Sequence, residues 1–210
     1  MKRIVSTFAV AAGIAAASTG AAFGGHSGNL ILNGGAELGA AGTDDSAIVA
    51  PQGWSTLGHF TAVKYGSSGL PDVTASTPIH GGATLFAGGP DNASSSAKQM
   101  VTVPQSWWKT VSAGRATAMV SADLGGWEGQ SDAATVNFVF LDASGATAGS
   151  VKIGPITPET RSNETGLMVV RKSVPVPAAT RSIRVTISAI RGTGDYNDGY
   201  IDNVSLTLAT

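Results

Sequence analysis

Hydrophobic and polar positions alternate with a period of two along most of this chain. In residues 182–190, Ile183, Val185 and Ile187 alternate with polar neighbours, and residues 135–141 show nearly the same pattern. Such alternation is typical of strands with one buried face and one solvated face. Strands are therefore predicted at residues 29–32, 60–65, 84–87, 97–103, 115–122, 135–141, 148–153, 167–176, 182–190 and 200–208.

The connections between these segments favour an all-β fold. Residues 142–145, Asp-Ala-Ser-Gly, are typical of a hairpin turn, and only residues 106–113, with two adjacent tryptophans, have the character of a short helix. Because strands do not alternate with helices, the pattern argues against a parallel α/β sheet. No change in composition divides the chain. We predict one domain over residues 29–210, an antiparallel β-sandwich of jelly-roll type.

The N-terminal segment has the pattern of an export signal. A basic start at residues 1–3 precedes an apolar, Ala-rich stretch at residues 4–17, and Gly20-Ala21-Ala22 has the small residues of a cleavage site. We predict a signal peptide at residues 1–22, a flexible stub at residues 23–28, and a secreted, extracellular or periplasmic protein. The alternative, a membrane anchor, needs an apolar run closer to about 20 residues. No membrane span is expected in the mature form.

Composition and charge exclude several classes of function. With 13 basic and 14 acidic residues, the formal net charge is -1, so the chain lacks the basic footprint of nucleic-acid binding. The absence of cysteine excludes disulfides, thiol catalysis and cysteine-bound zinc. No G-x-S-x-G, H-E-x-x-H or phosphate-loop motif occurs, and the three histidines lie far apart. We therefore expect a protein that binds and does not catalyse.

Three segments carry a family resemblance. The predicted mature chain opens with NLILNGGAE at residues 29–37, closes with GYIDNVSL at residues 199–206, and carries SADLGGWEGQSDAATVNFVFLDASGA at residues 121–146. The ends resemble the galactose-binding-like jelly rolls, which include many carbohydrate-binding modules of secreted bacterial proteins. The middle segment resembles an uncharacterised bacterial secreted branch of that superfamily and, more faintly, the F-box-associated sugar-recognition domain. The resemblance implies that the first and last strands lie side by side.

Two Gly-rich polar loops contain the candidate ligand-binding residues. Residues 124–130 place a tryptophan beside polar side chains, and residues 191–199 place a tyrosine between Asp and Asn. An aromatic ring offers a surface for sugar stacking, while carboxylates and amides bond sugar hydroxyls. The predicted ligand-binding residues are Trp127, Glu128, Gln130, Asp195, Tyr196 and Asn197.

Each of these residues also has a structural interpretation. The ring of Trp127 can fold back as a lid over the sandwich, and Asp195 and Asn197 can bond their own backbone in an ordinary tight loop. A third aromatic, Trp54, follows the opening motif and is predicted in the core, because burying an indole removes a large apolar area from water.

No cofactor is required by these patterns, but a structural calcium ion is one candidate. Asp195, Asn197 and Gly199 begin a spacing like that of an EF-hand, yet glycine replaces the third acidic ligand and Leu206 occupies the twelfth position. The EF-hand match therefore fails. The jelly-roll resemblance implies a different site, in which Glu37 and Asp202 share calcium with backbone carbonyls. The alternative is that Asp202 only caps a turn or bonds a neighbouring strand.

Two hypotheses for function follow. In the first, this is an exported, non-catalytic module that recognises a glycan or polysaccharide through its loop aromatics. In the second, it is a structural or adhesion module that contacts protein at the cell surface or in the extracellular matrix. Sugar binding requires an exposed aromatic beside convergent polar groups, whereas a protein contact requires a broader apolar patch.

Overall fold

The computed structural model describes residues 25–210, so the predicted signal peptide at residues 1–22 lies outside the described residues. The described residues form thirteen strands: β1 (Gly42–Asp44), β2 (Ser55–Leu57), β3 (Thr61–Ser68), β4 (Thr84–Ala87), β5 (Gly89–Pro90), β6 (Ser94–Thr102), β7 (Thr117–Gly126), β8 (Ala133–Leu141), β9 (Thr147–Ile153), β10 (Gly166–Pro175), β11 (Ser182–Ile190), β12 (Tyr196–Asn197) and β13 (Tyr200–Ala209). The helices are α1 (Val73–Ser76), α2 (Trp108–Ser112) and three 3₁₀ turns at Thr77–Ile79, Gln105–Trp107 and Glu159–Arg161. Within residues 25–210, no helix has the length and apolar character to cross a membrane.

Two large sheets form a sandwich. One has six strands in the order β1-β3-β4-β13-β7-β10, the other has five in the order β2-β6-β11-β8-β9, and β12 and β5 form a small third sheet. Every pair of named strands is antiparallel except β1 and β3. The predicted all-β fold, an antiparallel β-sandwich of jelly-roll type, is confirmed.

Nine of the ten predicted strands are present at or near their predicted positions. The exception is residues 29–32, which form no strand. The side-chain oxygen of Asn29 accepts the backbone N–H of Ile31 at 3.0 Å and of Leu206 at 3.0 Å. A side-chain acceptor has here replaced the sheet ladder. The opening segment nevertheless lies beside β13, since the N–H of Leu30 bonds the carbonyl of Leu206 at 2.9 Å. The predicted helix at residues 106–113 is confirmed by Gln105–Trp107 and α2.

The main core fills the space between the two large sheets. Alternate residues of β8 and β11, such as Phe138 and Ile187, are fully buried there. Trp54 is 8% exposed, packs edge-on against Phe86 with ring centroids 5.7 Å apart, and donates its indole N–H to the carbonyl of Asn33 at 3.1 Å. The prediction that Trp54 belongs to the core is confirmed.

A second, smaller apolar cluster lies on the opposite face of the six-stranded sheet. Successive strand residues point to opposite faces, so Val63 and Leu85 face away from the main core, which contains Ala62 and Phe86. The loop after β3 contributes Leu70 and Ile79 to this cluster, and Trp127 and Tyr196 pack against it. The predicted binding loops therefore rest on an apolar base that comes from distant parts of the chain.

Candidate functional site

A cavity of about 270 Å³ lies at the end of the sandwich where β7 ends and β13 begins. Four of the six predicted ligand-binding residues line it, namely Trp127, Gln130, Asp195 and Tyr196. The remaining lining residues are Asp45, Gly69, Gly194 and Asp198. The fold thus brings the two loops that the sequence singled out into one concave site.

A second, smaller cavity adjoins the first. It has a volume of about 180 Å³ and shares Asp45, Asp195 and Tyr196 with its larger neighbour. Ser46, Pro90 and Asp91 complete its lining. Tyr196 consequently borders both cavities.

The loop that carries Trp127 is held by a buried arginine. The guanidinium of Arg161 donates to the carbonyl of Trp127 at 3.2 Å and to the carbonyl of Gln130 at 3.1 Å. The same side chain also bonds the carbonyl of Glu164 and is only 6% exposed. Because a guanidinium has five N–H donors in a fixed plane, it fixes several carbonyls at once. Arg161 therefore positions the loop. No motif in the sequence around it, which forms a short 3₁₀ turn, indicates this role.

The loop that carries Tyr196 is closed by a buried carboxylate. One oxygen of Asp132 accepts the backbone N–H groups of Gly192 at 2.8 Å and Thr193 at 3.0 Å, and its other oxygen accepts that of Asp198 at 2.6 Å. Asp132 is 1% exposed. A buried carboxylate that accepts three backbone N–H groups gives the loop one defined conformation.

Two polar atoms at the cavity have no hydrogen-bond partner among the described residues. They are the side-chain oxygen of Gln130 and the hydroxyl of Tyr196, and both atoms are buried. An unpaired buried polar group costs about 1–3 kcal/mol, so native proteins rarely retain one without a reason. Both atoms belong to residues that line the cavity, but both are closed to solvent, so a bound molecule reaches them only when the two side chains move.

The cavity is rich in carboxylates. Burial raises the pKa of Asp198 to about 6, and the charge of Asp132 adds to the effect. A hydrogen bond from the hydroxyl of Tyr200 and the charge of Arg161 oppose that shift. Burial, with smaller contributions from Asp198 and Asp45, also raises the pKa of Tyr196, so its phenol stays protonated and able to donate.

Two predicted ligand-binding residues do not line the cavity. The amide of Asn197 is fully buried, donates to the carbonyl of Ala189 at 3.2 Å and accepts the N–H of Gly199 at 3.3 Å. Glu128 is exposed, and its backbone N–H bonds the hydroxyl of Thr165 at 3.0 Å. These contacts agree with the structural alternative for Asn197, in which its side chain bonds nearby backbone and not a ligand.

The two predicted calcium ligands, Glu37 and Asp202, each lie against one residue of the pair Gly81-Gly82. A Cβ atom at Gly81 would approach a carboxylate oxygen of Asp202 to 2.5 Å, and one at Gly82 would collide with the carboxylate of Glu37. The opening and closing motifs therefore meet in space, as the resemblance implied.

The carboxylates of Glu37 and Asp202 fit a bound cation only in part. Asp202 is fully buried, and burial, together with Asp123 and Glu37, raises its pKa to about 8. Its oxygens already accept the hydroxyl of Tyr65 at 2.8 Å and the N–H of Asn203 at 2.6 Å. Within residues 25–210, no group of three or more His, Cys, Asp or Glu side chains is arranged to hold a metal. Calcium would need backbone carbonyls or water as further ligands, and its binding stays a prediction.

No protein-family model and no curated protein matches the chain. Solved structures similar to it include TmCBM61 in complex with β-1,4-galactotriose, at 20% identity and a TM-score of 0.49, which covers 86% of this chain and 98% of that one. The C-terminal family 22 carbohydrate-binding module of Clostridium thermocellum Xyn10B is 14% identical over 79% of this chain and 91% of that one, with a TM-score of 0.41.

A further similar structure belongs to an enzyme. The enzymatically active domain of bacteriophage CBA120 tailspike protein 4 is 14% identical, with a TM-score of 0.49, over 85% of this chain. The present chain spans 21% of that domain. Several of these similar structures are carbohydrate-binding modules, the class that the sequence resemblance named. At these identities and TM-scores the likeness does not decide the function, which has to be argued from the site.

Proposed function

We propose that the protein is an exported, non-catalytic module that binds carbohydrate in the loop-end cavity. One observation carries the proposal. The cavity joins the rings of Trp127 and Tyr196 to the polar side chains of Gln130, Asp45 and Asp195, all of which line it. This combination of aromatic surface and convergent polar groups is what a sugar requires and what a broad protein contact does not.

Each lining group has a role in this proposal. The C–H face of a sugar ring packs against Trp127 or Tyr196, both of which are half-buried and supported from behind by the second apolar cluster. Sugar hydroxyls donate to the carboxylates of Asp195 and Asp45 and to the unpaired oxygen of Gln130. The hydroxyl of Tyr196 donates to a ring or hydroxyl oxygen of the ligand.

The test is a glycan array on the purified protein, followed by titration calorimetry with the best ligand. Gln130→Ala removes the unpaired acceptor, and we expect it to weaken binding by about three- to tenfold, the effect of one hydrogen bond of about 1 kcal/mol. Trp127→Ala should weaken binding by a similar or larger factor because it removes the stacking surface.

Glu128→Gln is the matched control, since it alters an exposed residue of the same loop that does not line the cavity. We expect its affinity to equal that of the native protein. The proposal fails if no glycan binds, or if Gln130→Ala and Trp127→Ala bind the ligand as tightly as the control. Absence of any glycan ligand would favour the alternative, a structural or adhesion module.

A further inference from the structure

The outer face of the five-stranded sheet carries cations and no carboxylates. Not one of its strands, all within the described part of the chain, contains Asp or Glu, although the chain has 14 acidic residues. Three basic side chains, Lys98, Arg184 and Lys152, are exposed on it. A protein of net charge -1 thus has one locally positive face, which we call the basic face.

The strand register aligns polar side chains of the basic face in one row. Ser55 is paired with Lys98, Lys98 with Thr186, Thr186 with Asn137, and Asn137 with Lys152. Paired residues point to the same side of a sheet, and neighbouring strands are about 4.8 Å apart, so Lys98 and Lys152 are separated by about 14 Å.

The row continues beyond its last strand. The ammonium of Lys172, from β10, donates to the backbone carbonyl of Lys152 at 2.8 Å. Lys172 therefore places a further positive charge at the β9 edge, and the row runs across the whole width of the sheet. A linear chain that crosses the strands meets a cation near each end and hydrogen-bonding groups between them.

A large groove adjoins the row at its β2 end. Its volume is about 700 Å³, and its lining includes Lys98, Arg184, Leu32 and Met100. Leu32 is 54% exposed and Met100 is 57% exposed. The register pairs Arg184 with Met100, so a guanidinium lies directly beside an exposed apolar side chain. The groove combines positive charge with apolar contact surface and lacks any aromatic ring among its lining residues.

We propose that the basic face is a second binding site, which takes an acidic polysaccharide built of uronic acid residues. Lys98, Arg184 and Lys152 pair with sugar carboxylates, and Thr186 and Asn137 bond hydroxyls between them. Leu32 and Met100 pack against the C–H faces of the sugar ring that enters the groove. This site rests on the sheet register and charge distribution, and it is independent of the loop-end cavity.

The experiment measures binding of polygalacturonate and alginate fragments by titration calorimetry at low salt. The matched ligand is methyl-esterified polygalacturonate, which keeps the sugar and loses the charge. We expect the acidic fragments to bind, the ester to bind at least tenfold more weakly, and affinity to fall as salt rises because exposed charges are screened.

Variants locate the site. Lys98→Gln, Arg184→Gln and Lys152→Gln should each weaken binding about two- to fivefold, the effect of one exposed ion pair, and the Lys98→Gln/Arg184→Gln pair about tenfold. Lys64→Gln is the matched control, because Lys64 is an exposed lysine on β3 of the other sheet. The control and Trp127→Ala should both retain native affinity.

The proposal is overturned if neither acidic polymer binds, if the ester binds equally well, or if Lys64→Gln weakens binding as much as Lys98→Gln. It is also overturned if double-stranded DNA binds as tightly and responds to the same variants, since the face would then recognise negative charge without recognising sugar. Loss of binding in Trp127→Ala with intact folding would place the acidic ligand at the loop end instead.

Discussion

A carboxylate oxygen of Asp132 accepts the backbone N–H of Asp198 at 2.6 Å, although the two residues lie 66 positions apart in the chain. The other oxygen accepts the N–H groups of Gly192 and Thr193. One buried side chain thus links the start of β8 to both ends of the loop that carries Tyr196. The conformation of the candidate site depends on a residue that does not line it.

Replacement of Asp132 should therefore affect both stability and binding. Asp132→Ala leaves three backbone N–H groups without their acceptor, and we expect it to lower the free energy of unfolding by about 2–4 kcal/mol. Urea denaturation gives this value. Hydrogen exchange should show lost protection at Gly192, Thr193 and Asp198. Unchanged protection there would contradict the role assigned to Asp132.

Tyr196→Phe should separate stability from function. It removes a buried hydroxyl that has no partner and keeps the ring, so we expect stability to rise by about 1 kcal/mol. Glycan affinity should fall, because the variant cannot donate a hydrogen bond from this position to the ligand. Thermal melts and titration calorimetry measure the two effects. A variant that loses stability would show that the hydroxyl is satisfied in the free protein.

The stability of the protein should depend on pH through Asp198. Burial raises the pKa of this carboxyl from 3.8 to about 6, so as pH rises the unfolded state loses the proton first. The stabilisation is complete below about pH 4 and is lost as pH rises to about 6, a change on the order of 2–3 kcal/mol.

Asp202, whose pKa burial raises to about 8, also loses stabilisation as pH rises through this range, so Asp198→Asn should reduce the slope between about pH 4 and 6 without abolishing it. Urea denaturation of both proteins at several pH values between 3.5 and about 7 makes the comparison. Glu128→Gln is the control, because Glu128 is an exposed carboxylate that does not line the cavity. Parallel profiles for the native protein and Asp198→Asn would show that Asp198 is not the group responsible.

Calcium should stabilise the protein if Glu37 and Asp202 share an ion. An ion that binds only the native state adds about 2.7 kcal/mol at a hundredfold excess over its dissociation constant. Melting should shift upward in calcium, return in chelator, and become insensitive to both in Asp202→Asn. Equal melting midpoints of the native protein in saturating calcium and in chelator would show that no calcium binds at this site.

Trp54→Ala should lower the free energy of unfolding by about 3–5 kcal/mol without changing the ligand site. Its ring packs against Phe86 in the main core, and its indole N–H bonds the carbonyl of Asn33. Urea denaturation measures the loss, and glycan titration of the folded fraction serves as the internal control. A cost below about 1 kcal/mol would be inconsistent with a core position.

The strands were predictable because a period of two is set locally. Thr84–Ala87 and Ser182–Ile190 have the bounds that the pattern predicts. The short strands β1, β2, β5 and β12 were missed, since two or three residues are too few to show a period. Residues 29–32 have a strand-like composition, but the side chain of Asn29 competes for the backbone.

The candidate site was predictable only where the aromatic and polar residues were adjacent in sequence. Trp127 and Gln130 share a loop, and so do Asp195 and Tyr196, which made both pairs visible. Asp45 comes from the turn after β1, and no local pattern connects it to those loops. Asn197 has the right chemistry but is buried, because burial of one loop residue depends on the elements packed around it.

The pairing of the opening segment with β13 determines where the two ends of the domain lie relative to the loop-end cavity. His26 lies opposite Ala209, whereas the cavity lies beside Tyr200 at the other end of the same strand. β13 has 10 residues, so its ends are about 30 Å apart. A second module or a solid support joined next to His26 or Ala209 would therefore be attached about 30 Å from the loop-end cavity.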